Sequence, residues 1–236
     1  MNNVCRNLAR MIDLSAVQAQ STKADIIECA ELAKKYNIIS LHVLPNWVPM
    51  LREELVGYPE VLIGAPIGYP SGGVATSTKI AEIHQTIANG ASEIDMVCNV
   101  GRVLSGDYDY VEQELNAAVK AAYPTPIKTI LETHYLNEEQ IRKVSEIAVN
   151  AGMAWVKTAT GWTATGATVE NCAMIVDQIN GRATQVKASG GIRSLELVQQ
   201  LYAVGVRRFG LSLKTAKEVL EQLEANPELF PELDYQ

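Results

Sequence analysis

Eight short apolar runs, each followed by an amphipathic stretch, recur along the chain and constrain its fold more than any other feature. They centre on Met11-Ile12, Leu41-His42-Val43, Val61-Leu62-Ile63, Ile94-Asp95-Met96-Val97, Ile127 to Leu131, Trp155-Val156-Lys157, Val186-Lys187 and Phe209-Gly210-Leu211. Their spacing, roughly 20 to 35 residues, is about the length of one strand-helix unit. Eight parallel units close into a barrel, whereas an open doubly wound sheet uses about five or six strands. The 236 residues suit one barrel, which typically takes about 250. The expected class is therefore α/β: a single (β/α)8 TIM-barrel domain over residues 1–236. A short helix in residues 1–10 precedes the first strand, and residues 227–236 form a C-terminal extension.

The intervening helices have readable ends. Asn137 followed by Glu138-Glu139-Gln140 is a capping-box pattern, and Ile141, Val144, Ile147 and Ala148 then share one helical face. Thr215 with Glu218 reads as a second capping box. Thr168 with Glu170 and Ser194 with Glu196 are looser versions that place an acid in the first turn. Gly90, Gly152 and Gly205 each fall between a helix and the next strand, where a left-handed residue ends a helix.

Charge and composition exclude several function classes. Lys and Arg number 20 against 27 Asp and Glu, a net charge of −7 with no basic stripe, which argues against a nucleic-acid partner. No run approaches the roughly 20 apolar residues of a membrane span, so no membrane partner is expected. Residues 1–10 carry Arg6 and Arg10 without the apolar centre of a secretory leader, and a cytoplasmic location is expected. Cys5, Cys29, Cys98 and Cys172 are widely spaced free thiols, and His42, His84 and His134 are scattered. Neither set advertises a metal site, so no metal is expected.

In such barrels the chemistry sits at the C-terminal ends of the strands. There the sequence places Asp13 and Ser15 on the first strand, Asp95 on the fourth and Lys128 on the fifth. The sixth supplies Lys157, Thr158 and Gly161, the seventh Lys187, Gly190 and Gly191, and the eighth Gly210 and Ser212. Lys157 and Lys187 each follow a valine inside a strand and precede a turn of small residues. A lysine is poorly placed against the apolar helix layer, so both should face the barrel interior near its mouth. Burial and a neighbouring cation lower a lysine's pKa, and the neutral amine attacks carbonyls. Either lysine alone reads more readily as a strand-end residue whose head reaches water or pairs with a carboxylate. Two on adjacent strands, with Asp95 inside a third, suit Schiff-base chemistry. Asp95 has a plainer reading too, as the carboxylate that neutralises a lysine. Ser189-Gly190-Gly191-Ile192-Arg193 and Phe209-Gly210-Leu211-Ser212 lie after strands seven and eight, where this fold commonly binds phosphate.

Those residues carry a resemblance. Glu93-Ile94-Asp95-Met96-Val97, Val156-Lys157-Thr158-Ala159-Thr160-Gly161 with Gly166-Ala167-Thr168, and Val186-Lys187-Ala188-Ser189-Gly190-Gly191-Ile192-Arg193 resemble the signatures of the deoxyribose-phosphate aldolase family. Ile12-Asp13-Leu14-Ser15, Gly68-Tyr69-Pro70, Lys128 and Glu132-Thr133 add weaker matches, so the resemblance runs from the first strand to the eighth. It implies a class I aldolase that reversibly cleaves 2-deoxy-D-ribose 5-phosphate to acetaldehyde and D-glyceraldehyde 3-phosphate. Lys157 would form the imine, Lys187 would depress its pKa, and Asp95 with Lys187 and a water would move the proton at the carbon beside the imine. Asp13, Ser15, Lys128, Thr158, Gly161, Gly190, Gly191, Gly210 and Ser212 would contact the substrate. Small phosphorylated sugars and short aldehydes would be the partners, with a homodimer as the assembly.

The chain departs from the family pattern at three places. Ala159 stands where a serine is usual, and Leu213 follows Ser212 where a second serine is common, with Lys214 next in line. Leu44 precedes Pro45 where a polar or aromatic residue is more frequent. These changes bear on phosphate affinity and acceptor range more than on the imine. Two other readings stand beside the main one: a sister aldolase taking another aldehyde, and a non-catalytic barrel that binds a sugar phosphate. Tyr235 is a candidate for a tail residue that folds over the site.

Overall fold

The computed structural model describes residues 1–234. Its eight parallel strands close into one barrel in sequence order, β1 to β8. They are β1 (Ile12–Ala16), β2 (Ser40–Val43), β3 (Leu62–Ile67), β4 (Glu93–Val97), β5 (Ile127–Ile130), β6 (Trp155–Lys157), β7 (Gln185–Ser189) and β8 (Arg208–Ser212). Helix α1 (Asn3–Ala9) precedes the barrel. Outside it lie α2 (Lys23–Tyr36), α3 (Val48–Glu54), α4 (Thr76–Asn89), α5 (Val100–Leu104), α6 (Tyr108–Ala122), α7 (Glu138–Ala151), α8 (Val169–Ile179), α9 (Leu195–Ala203) and α10 (Leu213–Ala225). Two short 3-10 turns, Pro227–Leu229 and Pro231–Leu233, follow. Among the described residues, no helix is long and apolar enough to cross a membrane.

The barrel and the extra N-terminal helix match the sequence expectation, and so do most helix ends. Asn137 and Gln140 form the capping box of α7, Thr168 caps α8 and Ser194 caps α9. One expectation is corrected. Thr215 is not a cap: α10 begins earlier, and the Ser212 hydroxyl accepts from the Thr215 N–H. The strand-to-helix passage at Ser212-Leu213 has no loop, so the cap sits at the strand's last residue. Tyr235 lies outside the described residues.

Successive strand residues point to opposite faces. In β1, Ile12 and Leu14 join the buried apolar core beneath the helices, while Asp13 meets Ser40, Lys187 and Arg208 across the interior. The same alternation places Glu93 and Asp95 inward and Ile94 and Met96 outward on β4. The apolar core is therefore the layer between strands and helices, and much of the interior is ionic. Lys128 and Arg208 lie over the Trp155 ring at 4.9 and 5.2 Å, cation–π contacts that help hold buried charge.

Burying ions is costly unless each is paired. Arg208 donates through Nη2 to both Glu93 oxygens at 2.7 and 2.8 Å and through Nε to Asp13. Arg208→Met would leave both carboxylates short of a buried partner and should cost about 3–5 kcal/mol in urea unfolding. Arg142→Ala, which breaks surface pairs with Glu138 and Asp177, should cost far less. Equal losses in the two variants would show that the interior cluster is not what holds the barrel.

Candidate active site

A cavity opens at the C-terminal end of the barrel. Asp95 and Lys157 line it, together with Ser15, Gly161, Gly190, Gly191, Gly210 and Ser212 from the predicted set. Asp13, Lys128 and Thr158 do not reach it. All three are fully buried. Lys187 is also buried and touches the cavity residues through Asp95.

Neighbouring register brings the lysines together: Lys157 pairs with Lys187 across β6 and β7, and Asp95 with Lys128 across β4 and β5. Asp95 Oδ2 accepts from Lys157 Nζ and Lys187 Nζ, each at 2.7 Å. Its Oδ1 lies 3.1 Å from Lys128 Nζ. Lys187 also forms a close ion pair with Asp13, and Lys128 one with Glu93 at 3.0 Å.

The three lysines differ in their surroundings. Burial pulls Lys128 down, but Asp95, Glu93 and Asp13 outweigh it and hold its pKa above the ordinary value. Lys157 has Asp95 as its nearest carboxylate and Lys187 as a neighbouring cation. Burial, with help from Lys187, overcomes Asp95 and lowers its pKa to about 8. Burial pushes Asp95 up, yet Lys128, Lys157 and Lys187 hold its carboxyl well below the usual range. Glu93 is held near 2, chiefly by Lys128 against the opposing effect of burial. The cavity thus presents one amine that is readily neutral beside a carboxylate that stays ionised.

Asp13, His42 and Asp95 offer ligand atoms within 4.8 Å of one another. The Lys187 ammonium already pairs with Oδ2 of both aspartates, so a divalent ion would have to displace it. That donor set suits an ammonium better than a metal.

The far end of the cavity is shaped by close backbone packing. A Cβ on Gly166 would lie 2.4 Å from the Gly190 carbonyl oxygen, and Gly190 has φ +85°. Ala167 N–H donates to the Gly190 carbonyl at 2.8 Å and to that of Ser189 at 3.1 Å, joining the loops after β6 and β7. Thr158 completes the junction: its hydroxyl donates to the Ser189 carbonyl at 2.8 Å and accepts from the Ser189 N–H at 2.9 Å. Arg193 lines this end, whereas Lys214 is 84% exposed and faces Glu218. Lys214 therefore does not make up for Leu213. Over the mouth, Trp162 meets Tyr69 edge to face and donates to the Val17 carbonyl at 3.2 Å.

Sequence reasoning missed His42, Glu93, Arg193 and Arg208. His42 was set among scattered histidines, yet it lines the cavity. The available signal was alternation: polar residues at every second position of Ser40-Leu41-His42-Val43, Glu93-Ile94-Asp95-Met96 and Arg208-Phe209-Gly210 mark an inward row.

Residues 11–210 match the model of the DeoC/LacD family of aldolases. The chain is 58% identical over 236 residues to a deoxyribose-phosphate aldolase of Klebsiella pneumoniae, covering 99% of this chain and 94% of that one. It is 46% identical over 222 residues to one of Rhizobium meliloti, covering 94% and 89%. A solved deoxyribose phosphate aldolase from Aeropyrum pernix, described as a tetramer, superposes with TM-score 0.85 at 25% identity, covering 94% of this chain and 92% of that one.

The electrostatics make a prediction about Lys157 alone. Its labelling by an amine-directed reagent, followed by peptide mass spectrometry, should rise about tenfold per pH unit and level off above a midpoint of about 8. Lys187→Met removes the neighbouring cation and should move that midpoint upward. An unmoved or lower midpoint would show that Lys187 does not act on the amine.

Proposed function

The chain belongs to the DeoC/LacD family of aldolases, and from that premise we propose that it reversibly cleaves 2-deoxy-D-ribose 5-phosphate to acetaldehyde and D-glyceraldehyde 3-phosphate through an imine on Lys157. The observation that carries this reading is the pairing of a cavity-lining lysine, its pKa lowered to about 8, with an ionised Asp95 at 2.7 Å.

The neutral Lys157 amine attacks the aldehyde carbon of the open-chain sugar, and loss of water gives the iminium. The electron pair of the bond between the second and third sugar carbons then flows toward the iminium nitrogen. That step leaves an enamine on Lys157 and frees the three-carbon aldehyde as the hydroxyl on the third carbon gives up its proton. Asp95 and Lys187, acting through water, deliver the proton to the enamine carbon, and hydrolysis releases acetaldehyde. Two groups with pKa values pushed apart in one site suit this division of labour. The chemistry needs no metal and no organic cofactor. The Gly161, Gly190, Gly191, Gly210 and Ser212 end of the cavity holds the phosphate by backbone N–H groups, with Arg193 as its cation. The single domain of residues 1–236 would carry the whole activity as a cytoplasmic homodimer.

Borohydride trapping with acetaldehyde is the direct test. An ethyl adduct is expected on Lys157, and none on Lys128 or Lys187. Lys157→Leu should abolish both adduct and cleavage while leaving the unfolding curve intact, because no other amine replaces the nucleophile. A barrel that forms no adduct on any lysine yet binds the sugar phosphate would be a binding protein instead.

Phosphate recognition has its own test. Arg193→Met should lower kcat/KM for the phosphorylated sugar by roughly ten- to a hundredfold, as for loss of a charged hydrogen bond. Turnover of free deoxyribose should be unaffected. Equal effects on both sugars would remove Arg193 from the phosphate site, and a wild-type preference for the free sugar would favour a sister aldolase.

A further inference from the structure

His42 is a cavity residue that the scheme above leaves without a task. It lines the cavity with Asp95 and Lys157 and is only 2% exposed. Its Nδ1 lies 3.6 Å from Asp95 Oδ2, and its Nε2 lies 3.2 Å from Asp13 Oδ2 and 3.6 Å from Glu93 Oε2. Neither ring nitrogen completes a well-aligned hydrogen bond within the protein. The chain makes room for the ring at a neighbouring strand: a Cβ on Gly64 would fall 2.2 Å from its Cε1. Buried polar groups without aligned partners weaken a fold. A histidine held this way, facing a substrate cavity, is poorly explained by stability.

Charged side chains from six strands face the ring. Asp13 on β1, Glu93 and Asp95 on β4, Lys128 on β5, Lys157 on β6, Lys187 on β7 and Arg208 on β8 form the cluster it faces. The three carboxylates are balanced by Lys128, Lys187 and Arg208, so the cluster is neutral when both Lys157 and His42 are uncharged. Two proton acceptors then face the cavity together. Asp95 is the weaker of the available bases, since its two oxygens already face the amine groups of Lys128, Lys157 and Lys187. A ring nitrogen without an aligned partner, facing the cavity, is open to accept a proton and to return it.

We propose that His42 is a second proton-transfer residue, which takes the hydroxyl proton as the carbon–carbon bond of the sugar breaks. This rests on Lys157 as the imine-forming residue. The O–H bond breaks and the C=O bond of the departing aldehyde forms. The carbon–carbon electron pair neutralises the iminium as the enamine, and the proton ends on the imidazole. Positive charge thus moves from the Lys157 nitrogen to His42, where Asp13, Glu93 and Asp95 face the ring. The imidazolium then releases its proton to water, while the enamine carbon is protonated through Asp95. In the synthetic direction, His42 protonates the oxygen of the incoming aldehyde.

Separating the two proton transfers tests the proposal. Acetaldehyde alone forms the imine and enamine, so exchange of its methyl protons in deuterated water reports the Asp95 step without the His42 step. In His42→Asn and His42→Gln, borohydride trapping on Lys157 and methyl exchange should stay within about twofold of wild type. Cleavage of deoxyribose 5-phosphate should fall on the order of a hundredfold. Cleavage within about threefold of wild type, or parallel loss of exchange and cleavage in both variants, would overturn the assignment. Absence of a Lys157 adduct in the unsubstituted protein would overturn the imine reading and this assignment with it.

Discussion

Asp95 shares one carboxylate oxygen between Lys157 and Lys187 at 2.7 Å each and offers the other to Lys128 at 3.1 Å. That single side chain ties β4 to β5, β6 and β7 across the interior. The arrangement is tolerable only because each buried charge meets an opposite one. Glu93 and Asp13 extend the matching to Arg208, and the Trp155 ring lies against two of the cations. With an interior this ionic, the apolar core has to lie outside the strands, against the helices.

The same cluster separates stability from reactivity. Lys128, against three carboxylates, is held charged, and it serves as a fixed ion. Lys157 sits nearer the mouth, where desolvation and Lys187 outweigh Asp95 and the more distant Asp13. Chemically identical side chains on neighbouring strands thereby take different roles, decided by how many carboxylates each one meets. The family to which the chain belongs supplies the reaction class, and the proposed imine chemistry falls to the lysine whose pKa is lowered.

The loops complete the cavity by close approach rather than by added side chains. Gly166 against Gly190, and Ala167 against the carbonyls after β7, bring backbone to the wall opposite the lysines. Ser212 illustrates the economy of the design: it ends β8, lines the cavity and caps α10. The loop after β6 is held in turn by Glu132, which adopts a left-handed conformation and accepts from the Thr160 hydroxyl and N–H.

Much of this was legible in the chain alone. Eight apolar runs and their spacing specify the barrel, because strand and helix periodicity are local properties. Asn137, Thr168 and Ser194 announced their helices for the same reason. Lys157, Lys187 and Asp95 stood out because charge inside an apolar strand demands an explanation. Thr215 was misread because the cap of α10 lies in a strand, and strand ends leave no sharp local mark. The burial of Asp13, Lys128 and Thr158, the Arg193 lining and the central place of His42 were decided by tertiary structure. Their positions depend on register and closure, which bring residues from strands far apart in sequence to within a few ångströms. A one-residue shift in any strand would have turned these side chains toward the helices.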